Sequence, residues 1–318
     1  MFKEFITEGP LYSKCILPNA NQNVGIHFIG GVHLRDWQHL GTAVLEKIIQ
    51  LDSSVIHIYD KNSVKAVQKS IFHLYLPLYF WIRGEAVRQN VQQSNTTFFV
   101  GINGPQGCGK TTLVTCLEAL FRLENFACYS LSLDDFYLTA HGQQLLHNRY
   151  MQNRLLEYRG NAGTHDLELA RKTLNAIKFH DAISGQAIIL DKRYFETINI
   201  PFFDKSINSG RGDRVPFEKW RRIQYPIQIL LFEGWMLGFR ALPEDHCDLK
   251  KIGDPSIYQV NTFLKEYSSL YSLINCWIIL KTQNLNSIFS WRKQQERRQR
   301  QQRKRGLSDG EVEDFIKR

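Results

Sequence analysis

The run Gly104-Pro105-Gln106-Gly107-Cys108-Gly109-Lys110-Thr111 has the spacing G-x-x-x-x-G-K-[ST], and each residue type in it has a physical task. Glycines let the backbone curl so that successive N–H groups point inward at an anion. A helix opening at Lys110 adds the positive end of its dipole. The Lys110 ammonium can reach β- and γ-phosphate oxygens, and the Thr111 hydroxyl can ligate Mg²⁺. Gly104, Pro105, Gln106, Gly107, Cys108, Gly109, Lys110, Thr111 and Thr112 are therefore the candidate residues for the ATP phosphates. The alternative, a glycine-rich turn with a chance lysine, gives no reason for the apolar run before the motif and the helical run after it. Cys108 sits where a helix N-terminus lowers a thiol pKa, which would make it sensitive to oxidation, but a filler residue is the expected reading.

Two further groups of acids sit where a phosphate chemist would want them. Asp134 and Asp135 follow the run 128–133 (CYSLSL), and Glu233 follows 227–232 (IQILLF). In an open parallel sheet, ligands lie beyond the carboxyl ends of the strands. Phosphoryl transfer to an alcohol needs a carboxylate to accept the hydroxyl proton and a way of holding Mg²⁺. Asp134 and Asp135 offer both, and Glu233 can reach Mg²⁺ through water, with Gly234 permitting close backbone approach. Against this, an Asp-Asp pair is a favoured helix N-cap, and a lone Glu after a strand is usually solvated.

The elements that must hold these groups are legible as a pattern. Short β-rich runs, 98–102 (FFVGI), 128–133, 187–190 (AIIL), 227–232 and 276–280 (CWIIL), alternate with helical segments such as Lys110 to Asn125 and Asp166 to His180. This predicts an α/β fold, a doubly wound, mostly parallel sheet with helices on both faces. Residues 1–95 read as a helical N-terminal extension, with apolar stripes at Val44, Leu45, Ile48, Ile49 and at Val64, Val67, Ile71, Leu74. Pro77 is expected to kink or divide the second helix. The polar stretch 92–97 (QQSNTT) marks the boundary to a P-loop domain over 96–318.

Composition narrows the class. The chain has 318 residues, 43% hydrophobic and 22% charged, which excludes disordered and collagen-like proteins. Its net charge is +9, but the segment 292–305 (RKQQERRQRQQRKR) holds eight bases and one acid, so the rest is nearly neutral. A run of like charge is usually a solvated face, and no nucleic-acid partner is expected. Cys15, Cys108, Cys116, Cys128, Cys247 and Cys276 form no C-x-x-C pair, which fits a reducing cytoplasm. The start lacks a secretory apolar core and the Arg- and Ser-rich character of a transit peptide. The stretch 71–82 is interrupted by His73 and Pro77 and falls short of the ~20 residues of a spanning helix. A soluble, cytoplasmic protein is expected.

Six blocks in order carry a family resemblance: GINGPQGCGKTTL (101–113), SLDDFYLT (132–139), GNAGTHDLEL (160–169), FFDKSINSGRGDR (202–214), LFEGWMLGF (231–239) and WRKQQE (291–296). The chain resembles the P-loop kinase superfamily of uridine kinase, phosphoribulokinase and pantothenate kinase, and within it the D-glycerate 3-kinases of plant, cyanobacterial and fungal type. The resemblance implies ATP- and Mg²⁺-dependent phosphorylation of D-glycerate to 3-phospho-D-glycerate. It implies that Asp134 is the base, with Lys110 on the phosphates, and that Asp135 is a hydrogen-bonding or Mg²⁺-water partner. It sets the loop ending at His165 beside the acceptor, while Thr164 or Asp166 caps the next helix. Asp135, Tyr137, His165, Lys205, Arg211 and Arg214 become substrate candidates, a guanidinium fork being suited to a carboxylate. The helix from Trp291 becomes a lid whose Arg292 and Arg297 approach the transferring group. Two alternatives stay open: a sister kinase for another small hydroxylated metabolite, pantothenate- or uridine-like, and a non-catalytic ATP-binding protein. Ser308-Asp309-Gly310-Glu311 forms a capping box for a last helix. The family pattern continues beyond Arg318, so the chain is expected to be short at its C-terminus.

Overall fold

The computed structural model describes residues 34–51, 61–94, 96–179, 197–303, 310 and 312–314. Its strands are β1 (Phe98–Asn103), β2 (Cys128–Ser132), β3 (Thr197–Ile200), β4 (Phe203–Asp204), β5 (Asp213–Arg214), β6 (Arg221–Gln224), β7 (Ile229–Gly234) and β8 (Cys276–Ile279). Its helices are α1 (Leu34–Leu51), α2 (Lys61–Ser70), α3 (Leu76–Arg88), α4 (Lys110–Leu123), α5 (Ala140–Arg149), α6 (Leu167–Lys178), α7 (Cys247–Ile252), α8 (Pro255–Leu264), α9 (Ser268–Tyr271) and α10 (Asn286–Arg303). Four strands, in the order β2-β7-β1-β8, make one sheet in which every pairing is parallel. The α/β sheet with helices on both faces is thus present.

Register decides what meets at the sheet's carboxyl edge. Glu233 pairs with Ile102 on one side and with Ser132 on the other. The P-loop after β1 and the acids after β2 are therefore not neighbours, because β7 runs between them and its terminal Glu233 separates the two.

Alternation along the strands makes two cores. Phe98, Val100, Ile102, Ile229 and Leu231 face one side, with α4 residues Leu113, Leu117 and Phe121. Phe99, Leu131, Leu230 and Phe232 face the other, with Ala170, Leu174 and Ile177 of α6. The N-terminal helices belong to the first core. Trp37, Leu40, Val44 and Ile48, spaced three and four apart along α1, are all buried in it. Tyr79 of α3 meets Phe121 of α4 with ring centroids 4.9 Å apart. Each such buried side chain contributes about 2 kcal/mol.

Pro77 does not divide its helix as expected. The chain widens into a π-helical turn, Ile71–Tyr75, in which the Leu76 N–H donates to the Ile71 carbonyl, and α3 continues with Pro77 in its first turn. A proline cannot donate to the carbonyl four residues back and its ring crowds that carbonyl. The wider turn absorbs the misfit without a break. The expected strand 187–190 and most of the expected capping box 308–311 lie outside the described residues, as do residues 1–33. Two short antiparallel pairs, β3 with β6 and β4 with β5, escape the sequence pattern. Strands of two to four residues carry too little periodicity to register. No helix among the described residues is long and apolar enough to cross a membrane.

Candidate active site

The P-loop has the backbone its sequence calls for. Gly107 and Gly109 hold φ values of 75° and 89°, a region that residues with a Cβ rarely adopt. Lys110 opens α4 and is buried, its Nζ donating to the carbonyls of Gly104 at 2.8 Å and Pro105 at 3.0 Å. The ammonium is thus held across the mouth of the loop. Thr111, one residue on, is exposed, and the Gln106 Oε1 is a buried acceptor without a partner. Cys108 fits the filler reading rather than that of a reactive thiol. Burial pushes its pKa up, outweighing the downward pull of Lys110, so the thiol stays protonated and poorly nucleophilic.

Asp134 and Asp135 share a 3₁₀ turn, Leu133–Phe136, yet face different partners. Ser132 caps the turn: its Oγ accepts from the Asp134 N–H at 3.3 Å, and the Asp135 Oδ2 accepts from the Ser132 N–H at 3.2 Å. Asp135 therefore does the capping that the Asp-Asp pair advertised. Asp134 instead accepts from Lys205 Nζ at 2.5 Å. Burial pushes its carboxyl up, but the Lys205 ammonium, together with His165 and the Tyr137 hydroxyl, outweighs burial and holds Asp134 well below the ordinary carboxylate range. Asp135 is paired with no ammonium among the described residues, and burial pushes its carboxyl up to about 6, against the Ser132 N–H and the more distant charges of Lys205 and Arg221.

Glu233 connects the two halves. Burial raises its pKa, the nearby Asp134 charge adds to that, and Lys110, Lys205 and the Ser132 hydroxyl oppose it. One carboxylate thus feels both the P-loop lysine and the strand-end aspartate. The oxygen set of Thr111 and Glu233 is of the kind a small hard cation takes, usually with waters completing its shell, and a bound cation would favour the ionised form of Glu233.

The three loop cations separate. β4 and β5 close the 203–214 loop, pairing Phe203 with Arg214 and Asp204 with Asp213. Lys205 goes to Asp134. Arg214 pairs with Asp166 at 3.1 Å and donates to the Tyr137 carbonyl at 2.9 Å. Arg211 lies over the Tyr158 ring, 4.9 Å from its centroid, and lines a cavity of about 410 Å³ with Arg159, Phe203 and Gln143. Asp134, His165 and Lys205 are not among the residues lining that cavity.

Beneath Asp134, the Tyr137 ring stacks on His165 with centroids 4.5 Å apart. His165 is buried, and its Nδ1 lies 2.7 Å from the Tyr267 hydroxyl. Asp166 caps α6, accepting from the Leu169 N–H at 3.0 Å. The Thr164 hydroxyl stays within its loop, donating to Asn161 O and accepting from Gly160 N. α10 lies on the P-loop: a Cβ at Gly107 would come within 2.7 Å of the Trp291 Cβ and 3.1 Å of the Arg292 backbone nitrogen. Arg292 is half-buried there, whereas Arg297 is exposed.

Sequence reasoning missed two groups. Asn103 ends β1 and donates to the carbonyls of Trp235 and Leu237 at 2.9 and 2.8 Å, tying the P-loop strand to the segment after β7. It lay inside the glycine-rich block, adjacent to Gly104, and could have been singled out. Tyr267 stands about a hundred residues from its partner His165, and no local signal marks it.

No family model matches the chain. It is 35% identical to the chloroplastic D-glycerate 3-kinase of Arabidopsis thaliana over 99% of its own length, and spans 64% of that protein's length. It is 35% identical to an uncharacterised kinase, mug58, of Schizosaccharomyces pombe, over 69% of this chain and 77% of the yeast protein. The solved D-glycerate 3-kinase of Cryptococcus neoformans superposes with a TM-score of 0.65 at 28% identity, over 76% of this chain and 84% of that one.

Proposed function

This chain belongs to the family of P-loop kinases that includes the plant D-glycerate 3-kinase, and from that premise we propose that it transfers the γ-phosphoryl group of ATP to D-glycerate, giving 3-phospho-D-glycerate. The observation that carries the reading is the register of β7, which sets Glu233 between Ile102, at the end of the P-loop strand, and Ser132, two residues before Asp134.

In this reading the backbone from Gly104 to Gly109, with Lys110, Thr111 and Thr112, binds the ATP phosphates. Thr111, and Glu233 through water, would hold Mg²⁺, which when bound neutralises phosphate charge. Asp134 orients the 3-hydroxyl and accepts its proton as the oxygen bonds to the γ-phosphorus and the bond to the β–γ bridging oxygen breaks. Its low pKa makes it a weak base. The loose transition state of phosphoryl transfer tolerates this, since little charge develops on the attacking oxygen before the bond forms. Lys205 keeps Asp134 ionised and, with His165 and Tyr137, borders the acceptor, while Arg211 lies over Tyr158 in the separate cavity. Arg214 and Asp135 hold the walls rather than the substrate. Lys110, Arg292 and Arg297 face the charge that spreads over the transferring group. The described cysteines Cys108, Cys116, Cys128, Cys247 and Cys276 are all free, which supports a reducing compartment, the cytoplasm in this reading. In this reading 1–95 is the helical extension and 96–318 the kinase domain, with α1 to α3 packed in one core with α4.

The test is ADP release from Mg-ATP with a panel of hydroxy acids. Turnover on D-glycerate is expected, with product identified as 3-phosphoglycerate. Turnover on pantothenate or uridine in its place would overturn the substrate while leaving a kinase. Asp134→Asn should lower kcat by roughly 10²-fold or more while nucleotide binding persists.

A further inference from the structure

The two ring nitrogens of His165 are not equivalent. Nδ1 meets the Tyr267 hydroxyl at 2.7 Å, whereas Nε2 is buried and has no hydrogen-bond partner among the described residues. The residue itself is only 5% exposed. Tyr267 is fully buried, and its hydroxyl also receives the backbone N–H of Gly163 at 3.2 Å. A phenol has one proton to give, and its oxygen, partly delocalised into the ring, accepts best from one donor. With Gly163 donating to that oxygen, the phenol proton goes to His165 Nδ1. If Tyr267 instead accepted from both, its own buried O–H would be left without an acceptor, a costly arrangement.

His165 Nδ1 is then an acceptor, and the neutral ring carries its hydrogen on Nε2. Neutrality is secured by burial, which holds the ring pKa down to about 4 against the attraction of Asp134. The result is a buried N–H donor, close enough to feel the Asp134 charge, with no acceptor among the described residues. Buried donors are nearly always satisfied, and His165 stacks on Tyr137 and feels the Asp134 charge, two residues that the kinase reading sets around the acceptor substrate.

We propose that Tyr267 is a positioning residue that fixes His165 as the Nε2–H tautomer, and that this N–H donates to an oxygen of the bound hydroxy acid. That oxygen is one not undergoing transfer, a second hydroxyl or the carboxylate, because a donor on the attacking oxygen would draw off the lone pair that must reach phosphorus. The assignment of a ligand rests on the kinase reading above; the tautomer does not.

The experiment is ¹⁵N-edited NMR of the imidazole nitrogens in the full chain, with the His165 signals identified by their loss in His165→Gln, alongside steady-state kinetics. The wild type should show His165 protonated on Nε2 at neutral pH. Tyr267→Phe should give a mixture of tautomers and raise KM for the hydroxy acid by ~10-fold, the worth of one good hydrogen bond, with KM for ATP unchanged. His165→Gln, which carries an amide N–H near the Nε2 position, should keep more affinity for the acceptor than His165→Asn, which does not reach it. A wild-type ring protonated on Nδ1 would overturn the proposal, as would a Tyr267→Phe protein that leaves tautomer and acceptor KM unmoved. Should Tyr267→Phe fail to fold, the wild-type tautomer and the Gln/Asn pair still decide. If no hydroxy acid is turned over, the kinase reading fails, and the tautomer measurement still judges Tyr267.

Discussion

Asp134 and Asp135 are adjacent and displaced in opposite directions, because burial raises both and only Asp134 is paired with an ammonium strong enough to outweigh it. Removing that ammonium tests the cause. In Lys205→Met, burial is no longer opposed by Lys205, so the Asp134 pKa should rise and the acid limb of the kcat/KM profile should move to higher pH, with ATP affinity retained. Asp135 makes a prediction about stability. Its pKa rises from 3.8 to about 6 on folding, so the folded state binds the extra proton, and its contribution declines as pH rises through that window. His165 falls from 6.5 to about 4, so the unfolded state binds the extra proton there, and its contribution grows with pH. The two slopes oppose each other between about pH 4 and 6. In Asp135→Asn, which keeps an acceptor for the Ser132 N–H, only the His165 slope of this pair remains. Urea midpoints should then climb with pH across that window more steeply than in the wild type.

At the level of elements, the contact between α10 and the P-loop rests on a glycine. Gly107→Ala adds a Cβ that meets Trp291 and also forces a positive φ on an L-residue, a strain of about 1–2 kcal/mol. Gly109→Ala carries comparable backbone strain with open space around its Cβ. Hydrogen exchange over Asn286–Arg303 should therefore accelerate in Gly107→Ala and stay near wild type in Gly109→Ala, while both weaken ATP binding. Equal exchange in the two variants would mean that α10 does not rest on Gly107. Lys293 of the same helix is paired with Glu313.

For the molecule as a whole, α1 to α3 share one core with α4, and hence with the P-loop helix. Trp37 is completely buried there, and Trp37→Ala should cost about 3–5 kcal/mol. Denaturation should remain a single transition, since an independent N-terminal unit would instead melt in a separate step. The motif, the alternation of strands and helices, and the acids at strand ends were determined by the sequence alone, because each follows from chemistry within a few residues: a glycine's freedom, a period of two or 3.6, an Asp where a turn opens. The wide π turn at Pro77 and the capping duty of Asp135 depended on which local option the surrounding fold favoured. The interposition of β7 between β1 and β2, the partition of Lys205, Arg211 and Arg214 among three partners, and the meeting of Tyr267 with His165 belong to tertiary structure. They join residues many tens of positions apart, and no spacing along a chain records which distant side chain a buried polar atom will meet.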